Sequence, residues 1–486
     1  MSRSLSHQVG ILTLGRLVSY AVMFIVPLVN VRTLSKDEYG YYRQFWLLFE
    51  TISPILILGF SRSLLYFLPR VDNRGERSAY LTQTVLFLAL GSLIAAIVYA
   101  VMARTLGEGL GAAARAFYWR LTFFTFFMVV TDYMEMLFVA QQRPVAQAVY
   151  HASVWGLQAI VVIAVSYLLG DVSSVIWALA FFGMARFLYA VTYTHARYGF
   201  SLRFISLASI KEQVSFAVPV GLAGIGLLLL TQTDKFIINS FLGREAFAVY
   251  SVGAFQLPLV GIIQTSIGNI TFPLMAQYQK LGDHAAMLDL WRRSLMKTMI
   301  LFFPLFVFFE VTARPFITIM FTEEYADATP VFMAYMLLFL RSSVETGNVI
   351  QAFNRTKFLF IGFLIAFPVN VALGLLMYKL MGRIGVPLAT LITMSVLTIV
   401  NLWYTASLLG ATLPQLFPIR DVTKRFLAAA IPGVVMGLLY RWHPITNFFE
   451  LVVAGIVYMA LFVLVCARTR LVTMDDVKGL VGRGSV

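Results

Sequence analysis

A chain of 486 residues that is 60% hydrophobic, only 12% charged and has a mean hydropathy of +0.82 does not suit a water-soluble globular fold. The formal charge of +14 is scattered between apolar runs with no Lys/Arg tract, which argues against a nucleic-acid partner. The single cysteine, Cys466, rules out an intrachain disulfide and makes a zinc or iron-sulfur site implausible, so neither metal nor cofactor is expected.

Apolar runs of about 20 residues, the length that crosses about 30 Å of hydrocarbon, recur from end to end. Spans are expected over 10–29, 42–60, 80–103, 117–140, 149–169, 173–194 and 213–238, and again over 249–274, 295–312, 330–350, 358–378, 385–408, 426–440 and 448–466. The first run carries Arg16 and lacks a small-x-small cleavage site, so it reads as a retained span. None shows the period-two alternation of an outer-membrane strand. The expectation is an all-α integral membrane protein of about fourteen helices. No connection exceeds about 20 residues, which leaves no room for a soluble domain. An even number of crossings puts both termini on one face. About 22 of the 37 Lys/Arg fall on that face and about 10 on the other, so both ends are expected to be cytoplasmic.

The turn between the first two spans has an echo. Leu34, Lys36, Asp37, Tyr39 and Tyr42 are answered by Leu242, Arg244, Glu245, Phe247 and Tyr250, each 208 positions later. A second pair, Ala140-Gln141-Gln142-Arg143 and Ala352-Phe353-Asn354-Arg355, is offset by 212. The simplest account is a duplicated six-helix unit. Residues 1–210 then form one lobe, 211–415 a second, and 416–486 two extra helices with a cytoplasmic tail. Six crossings return the chain to its starting face, so the lobes are expected to be related by a pseudo-twofold axis along the membrane normal, with a cavity between them. Pro27, Pro219, Gly221 and Gly224 interrupt spans one and seven and are the hinge candidates.

The Arg-x-Leu-Ser-x-x-Glu-Tyr-Gly-x-Tyr turn from Arg32 to Tyr42, the Gly59-Phe60-Ser61-Arg62-Ser63 step and the stretch from Thr233-Asp234-Lys235-Phe236 to Tyr250 resemble the polysaccharide biosynthesis, or O-antigen flippase, family. That family belongs to the multidrug/oligosaccharidyl-lipid/polysaccharide exporter superfamily. The resemblance implies a fourteen-helix, two-lobed transporter in the bacterial inner membrane. It would move undecaprenyl-pyrophosphate-linked oligosaccharide to the outer leaflet by alternating access, alongside other polysaccharide assembly proteins.

Charges inside spans cost about 2.5–3.5 kcal/mol each on insertion scales, so each needs a pathway or a partner. Arg16, Arg43, Arg186, Lys235 and Arg341 are the candidates for a cationic, pyrophosphate-binding cavity, since Arg meets phosphate with a bidentate fork. Plainer readings stand beside these. Arg43 near a span end can snorkel, Arg186 can pair with Asp132 or Glu135, and Asp234 can pair with Lys235. Glu310 with Arg314, and Arg341 with Glu345, have the i,i+4 spacing of helical ion pairs. Glu50, Asp132 and Glu135 are candidates for ion coupling. Asp37 and Glu38, beside Lys36, read as solvated charges.

A multidrug exporter of the same superfamily would share this architecture, but would be expected to present carboxylates where the first span has only Arg16. A membrane glycosyltransferase or glycan polymerase usually needs a large extracytoplasmic loop. No nucleophile triad, phosphate-cradling glycine loop or metal cluster is evident, and an enzyme is not expected. Arg16→Ala is expected to abolish or sharply weaken glycan-lipid export and Arg16→Lys to be partly tolerated. Unchanged surface glycan at normal expression of the alanine variant would remove Arg16 from the site.

Overall fold

The structure, a computed structural model, describes residues 24–71, 73–110, 112–255, 257–469 and 471. Arg16 and the first part of the first span lie outside the described residues. Among those described there is no strand. The chain forms two compact units, 1–248 and 249–486. The repeat boundary expected after residue 210 and this division, after Ala248, are thus different positions.

In the first unit the order is α1 (Phe24–Thr33), α2 (Lys36–Ile57), α3 (Phe60–Phe67), α4 (Arg74–Leu110), α5 (Ala112–Val130), α6 (Tyr133–Ala140), α7 (Pro144–Leu169) and α8 (Val172–Tyr198). Helix α9 (Leu207–Gly253) carries the chain out of it. The second unit continues with α10 (Pro258–Leu281), α11 (His284–Val311), α12 (Ala313–Phe321), α13 (Thr329–Arg341), α14 (Gly347–Ala352), α15 (Thr356–Met381) and α16 (Gly385–Leu409). It ends with α17 (Leu413–Leu416), α18 (Ile419–Trp442) and α19 (Phe448–Arg468).

Among the described residues nine helical stretches are long and apolar enough to cross a membrane, ten if the bent pair 36–57 and 60–70 counts as one. The 54-residue stretch Thr356–Leu409 would be about 81 Å long as one helix, more than twice the hydrocarbon thickness. It is two helices, α15 and α16, closed by a left-handed Gly382 and by Gly385 set against the Met377 carbonyl. Between these stretches lie α10, of 24 residues, and the shorter α12, α13 and α14, of 9, 13 and 6 residues. Outward side chains such as Leu90, Ile97, Ile160, Ile399 and Val463 are exposed, as a face meant for hydrocarbon should be. The core of the first unit gathers Leu64, Leu81, Leu88, Met134, Leu137 and Ala217.

Both sequence echoes are structural. At the first, α2 starts on Ser35, whose hydroxyl accepts from the Glu38 amide while the Glu38 carboxylate accepts from the Ser35 amide. Glu38 is therefore one half of a capping box and not merely a solvated charge. At the corresponding position, 208 residues on, α9 breaks at Gly243, with φ 77°. At the second, Gln142 and Asn354 are non-glycine residues with φ of 54° and 56°. The following amides close the same bond, Arg143 N to Phe138 O at 3.1 Å and Arg355 N to Ile350 O at 3.0 Å.

The two copies of the first turn meet within the first unit. Arg244 pairs with Asp37 at 3.2 Å, and Gln44 Nε2 donates to Asn239 Oδ1 at 2.5 Å. The pair is half exposed, so it adds little energy, and close backbone approach does more. Gly40 lies against the Arg244 carbonyl and Gly221 against the Leu58 backbone, where any Cβ would overlap. Gln213 Nε2, buried, donates to Ser63 Oγ and Thr84 Oγ1, both at 2.8 Å. These contacts explain why the first compact unit runs on to Ala248.

Gly40→Ala is expected to destabilise the protein by about 1–3 kcal/mol through overpacking, whereas Gly224→Ala, with nothing within 4 Å of the added carbon, should be neutral. Thermal unfolding of the two variants in detergent checks the contrast.

Candidate functional site

Each unit contains a crossing broken at the same repeat position. In the first, α5 ends at Val130 and α6 begins at Tyr133. In the second, α13 ends at Arg341 and α14 begins at Gly347, so the residues at 343 and 344 answer those at 131 and 132. A break frees backbone carbonyls, and turns of the chain and side chains take them up. Arg186 of α8 does so in the first unit, donating from Nη2 to the Thr131 carbonyl at 3.3 Å and from Nε to the Tyr150 hydroxyl at 3.1 Å. In the second unit Gln264 donates to the Ser342 carbonyl at 2.7 Å and Trp291 to the Glu345 carbonyl at 3.2 Å. The cation there has changed sides. Arg341, at the end of α13, donates to Thr398 Oγ1 from Nε at 2.8 Å and from Nη2 at 2.6 Å. Thr398 stands 212 residues after Arg186.

The breaks overturn two of the expected helical pairs. Arg341 and Glu345 do not form an ion pair because the helix ends between them. The Glu345 carboxylate instead caps α14, accepting from Gly347 N at 2.6 Å and Asn348 N at 3.2 Å. Arg314 lies beyond the α11–α12 break at Thr312 and pairs with Glu323 at 3.3 Å, not with Glu310. Arg186 makes no ion pair with Asp132 or Glu135. Glu135 is taken by His151, whose Nδ1 lies 2.9 Å from Oε1, while Asp132 sits among Ser61, Arg62 and Arg186. Lys235 donates to Gln232 Oε1 at 2.6 Å, so its bond is to an amide one turn away.

A cavity of about 220 Å³ lies within the first unit between α1, α2 and α7. One face of α2 supplies Tyr42, Arg43, Trp46, Phe49 and Glu50, spaced by three, four and seven residues. Trp155 and Gln158 come from α7, and Val26 with Pro27 from α1. Arg43 Nε and Gln158 Oε1 are buried without a hydrogen-bond partner. Such groups are uncommon in a folded interior, and both line this cavity. It therefore joins aromatic faces with an undersatisfied guanidinium and amide, the chemistry that holds a polar, anionic group with rings of its own.

Of the sequence candidates, Arg43, Glu50 and Pro27 come together here. Asp132, Glu135 and Arg186 gather at the first break, and Arg341 lies at the second. Pro219 and Gly221 belong to an uninterrupted part of α9 whose only non-helical residue is Gly243. His151, Trp155 and Gln158 were not singled out from the sequence, yet they form an i, i+4, i+7 stripe on α7 that runs from Glu135 to the cavity. Polar residues at that spacing in an apolar span were the available signal. No group of His, Cys, Asp and Glu suited to a metal occurs among the described residues.

A family model described as polysaccharide biosynthesis protein matches residues 29–330, more than half of the chain. The chain belongs to that family. An uncharacterized membrane protein of Methanocaldococcus jannaschii is 22% identical over 286 residues, 56% of this chain and 54% of its own. This chain thus spans about half the length of the curated relative it matches. Among solved structures, an inward-facing multidrug resistance transporter of the MATE family and MOP superfamily matches with a TM-score of 0.62 at 10% identity, covering 81% of this chain and 98% of its own. A MOP-superfamily transporter from Pyrococcus furiosus with a binding pocket of reverse polarity gives 0.59 at 12% identity over 83% and 95%. A point mutant of the Vibrio cholerae MATE transporter VcmN gives 0.56 at 13% over 84% and 98%. This member of the polysaccharide biosynthesis family therefore has the MOP-superfamily fold, all-α and built from two pseudo-symmetric lobes.

Arg186→Met is expected to destabilise this family member by about 1–3 kcal/mol, because the Thr131 carbonyl and the Tyr150 hydroxyl both lose a charged donor. Arg186→Lys should recover part of the loss, as read from thermal midpoints in detergent.

Proposed function

We propose that this chain is a flippase for a lipid-linked oligosaccharide. It moves a pyrophosphate-bearing glycan on an undecaprenyl-type carrier from the inner to the outer leaflet of the cytoplasmic membrane by alternating access. The observation that carries this reading is the pair of undersatisfied polar groups, Arg43 Nε and Gln158 Oε1, on an aromatic-lined cavity. Membership of the polysaccharide biosynthesis family supports it.

The chemistry fits the barrier. Each sugar hydroxyl without a partner costs about 2–7 kcal/mol in hydrocarbon, so a glycan does not cross unaided. A polar cleft removes that cost while the lipid tail stays in the bilayer. A guanidinium keeps its charge in low dielectric and offers a planar fork to phosphate, and Trp46 and Trp155 offer faces to sugar rings. With both termini cytoplasmic, outward movement of two negative charges runs with an inside-negative potential, by about 2.3 kcal/mol per charge per 100 mV. Glu50, Asp132 and Glu135 are the groups on which an accompanying cation or proton would act, and Glu135 already shares a hydrogen bond with His151.

Glu50 on the same cavity favours a second reading, an exporter of organic cations like the multidrug transporters whose fold this chain has. Arg43→Ala separates the two. A pyrophosphate ligand loses charge-assisted bonds worth about 1.5–3 kcal/mol each, so leaflet-specific assay of lipid-linked sugar should show a fall of roughly 10- to 100-fold, with Arg43→Lys in between. Wild-type flipping by the alanine variant at normal abundance, or improved efflux of a cationic dye without change in sugar export, overturns the flippase reading.

A further inference from the structure

A second basic feature lies away from the cavity, at one end of the first unit. The start of α4 and the end of α8 enclose an open groove of about 720 Å³ lined by Arg74, Arg77, Tyr193, Ala196, Arg197 and Tyr198. Its frame is fixed by hydrogen bonds between the two elements: Ser78 Oγ to the Gly199 carbonyl at 2.9 Å, and Ser201 N to Thr82 Oγ1 at 3.1 Å. The guanidiniums are held by backbone carbonyls. Arg77 Nε donates to Val71 O at 2.5 Å, and Arg74 Nη2 to Arg197 O at 3.4 Å. None of the three forms a salt bridge with a carboxylate among the described residues. Arg143 adds a fourth positive charge within electrostatic range of Tyr198. Glu76 on α4 forms no salt bridge with these guanidiniums among the described residues, and the Tyr80 hydroxyl on the next turn donates to Glu212 at 3.2 Å.

The inside-positive loop bias asks only that Lys and Arg be plentiful on one face, and scattered charges meet it. It does not ask that three guanidiniums line one groove with no salt bridge to an acid among the described residues, an arrangement in which like charges repel and an anion is favoured. Fork-shaped donors flanked by two phenols suit phosphate oxygens. Helix ends place the groove where headgroups lie.

We propose that this groove is a phosphate-binding site at the membrane surface, separate from the α1–α2–α7 cavity and not dependent on the transport reading. Its ligand is a phosphodiester or diphosphate, supplied either by an anionic phospholipid of the leaflet or by the headgroup of a diphosphate-linked lipid.

Hydrogen–deuterium exchange on the full-length protein tests this locally. In detergent with inorganic pyrophosphate, or in nanodiscs containing phosphatidylglycerol compared with phosphatidylcholine alone, segments 73–80 and 193–201 should exchange more slowly. The Arg74→Gln/Arg197→Gln variant should lose that protection, while Arg43→Ala and the charge-matched control Arg292→Gln/Arg293→Gln should keep it. Protection by pyrophosphate alone identifies the diphosphate source, and protection by phosphatidylglycerol identifies the leaflet lipid. No protection with either probe, or equal loss in the Arg292/Arg293 control, overturns the site. Loss of sugar flipping in Arg43→Ala with groove protection intact would leave the two sites distinguished.

Discussion

The constraint on which this structure turns is the fate of main-chain carbonyls where a crossing helix is interrupted. In hydrocarbon the missing helical partner must be replaced from within the protein, by tightened backbone turns such as Met134 N to Thr131 O and by side-chain donors. Both units solve the problem at the same repeat position with different residues, Arg186 in one and Gln264 with Trp291 in the other. Charged and polar groups that look misplaced in an apolar sequence are largely explained by this. Their partners are backbone atoms and hydroxyls, so the protein holds intramembrane arginines without pairing each to an acid.

The cavity of the first unit is tied to that framework. Helix α7 links the break to the cavity, with His151 on Glu135 at one end and Trp155 and Gln158 on the cavity at the other. Helix α2 contributes Arg43 and Glu50 to the cavity and meets the second copy of the turn through Gly40, which touches Arg244. One helix therefore serves both the contact between the repeat copies and the polar cleft. Displacement at the turn would be passed to the cavity wall by a rigid rod.

Much of the architecture was legible. Hydropathy and run length gave an all-α membrane protein, and the echoes at offsets of 208 and 212 marked turns that the backbone reproduces, down to left-handed Gln142 and Asn354. The breaks were not legible, because no proline marks Thr131 or Ser343 and the short polar stretches there, Thr131-Asp132 and Arg341-Ser342-Ser343, sit inside longer apolar runs that read as continuous spans. That is why Arg341–Glu345 and Glu310–Arg314 looked like helical pairs. The Ser35-x-x-Glu38 capping box was visible and was read only as charge. Arg43 was recognised from its charge. Its companions Trp155 and Gln158 were not, because an aromatic and an amide in a lipid span also pass as ordinary packing.

The seventh crossing is sequence-wise the first of the second repeat, yet its small residues are clasped by the opening hairpin, with Ala217 beneath Gly59 and Gly221 beneath Leu58. During ribosomal synthesis the leading half cannot reach its final packing until almost half the polypeptide has emerged. Until then, the surface awaiting α9 must be covered by lipid or by the insertion machinery. The duplicated halves are thus not separable modules in biogenesis, whatever their ancestry, and a nascent chain stalled before Leu207 would present an unfilled seam to the bilayer.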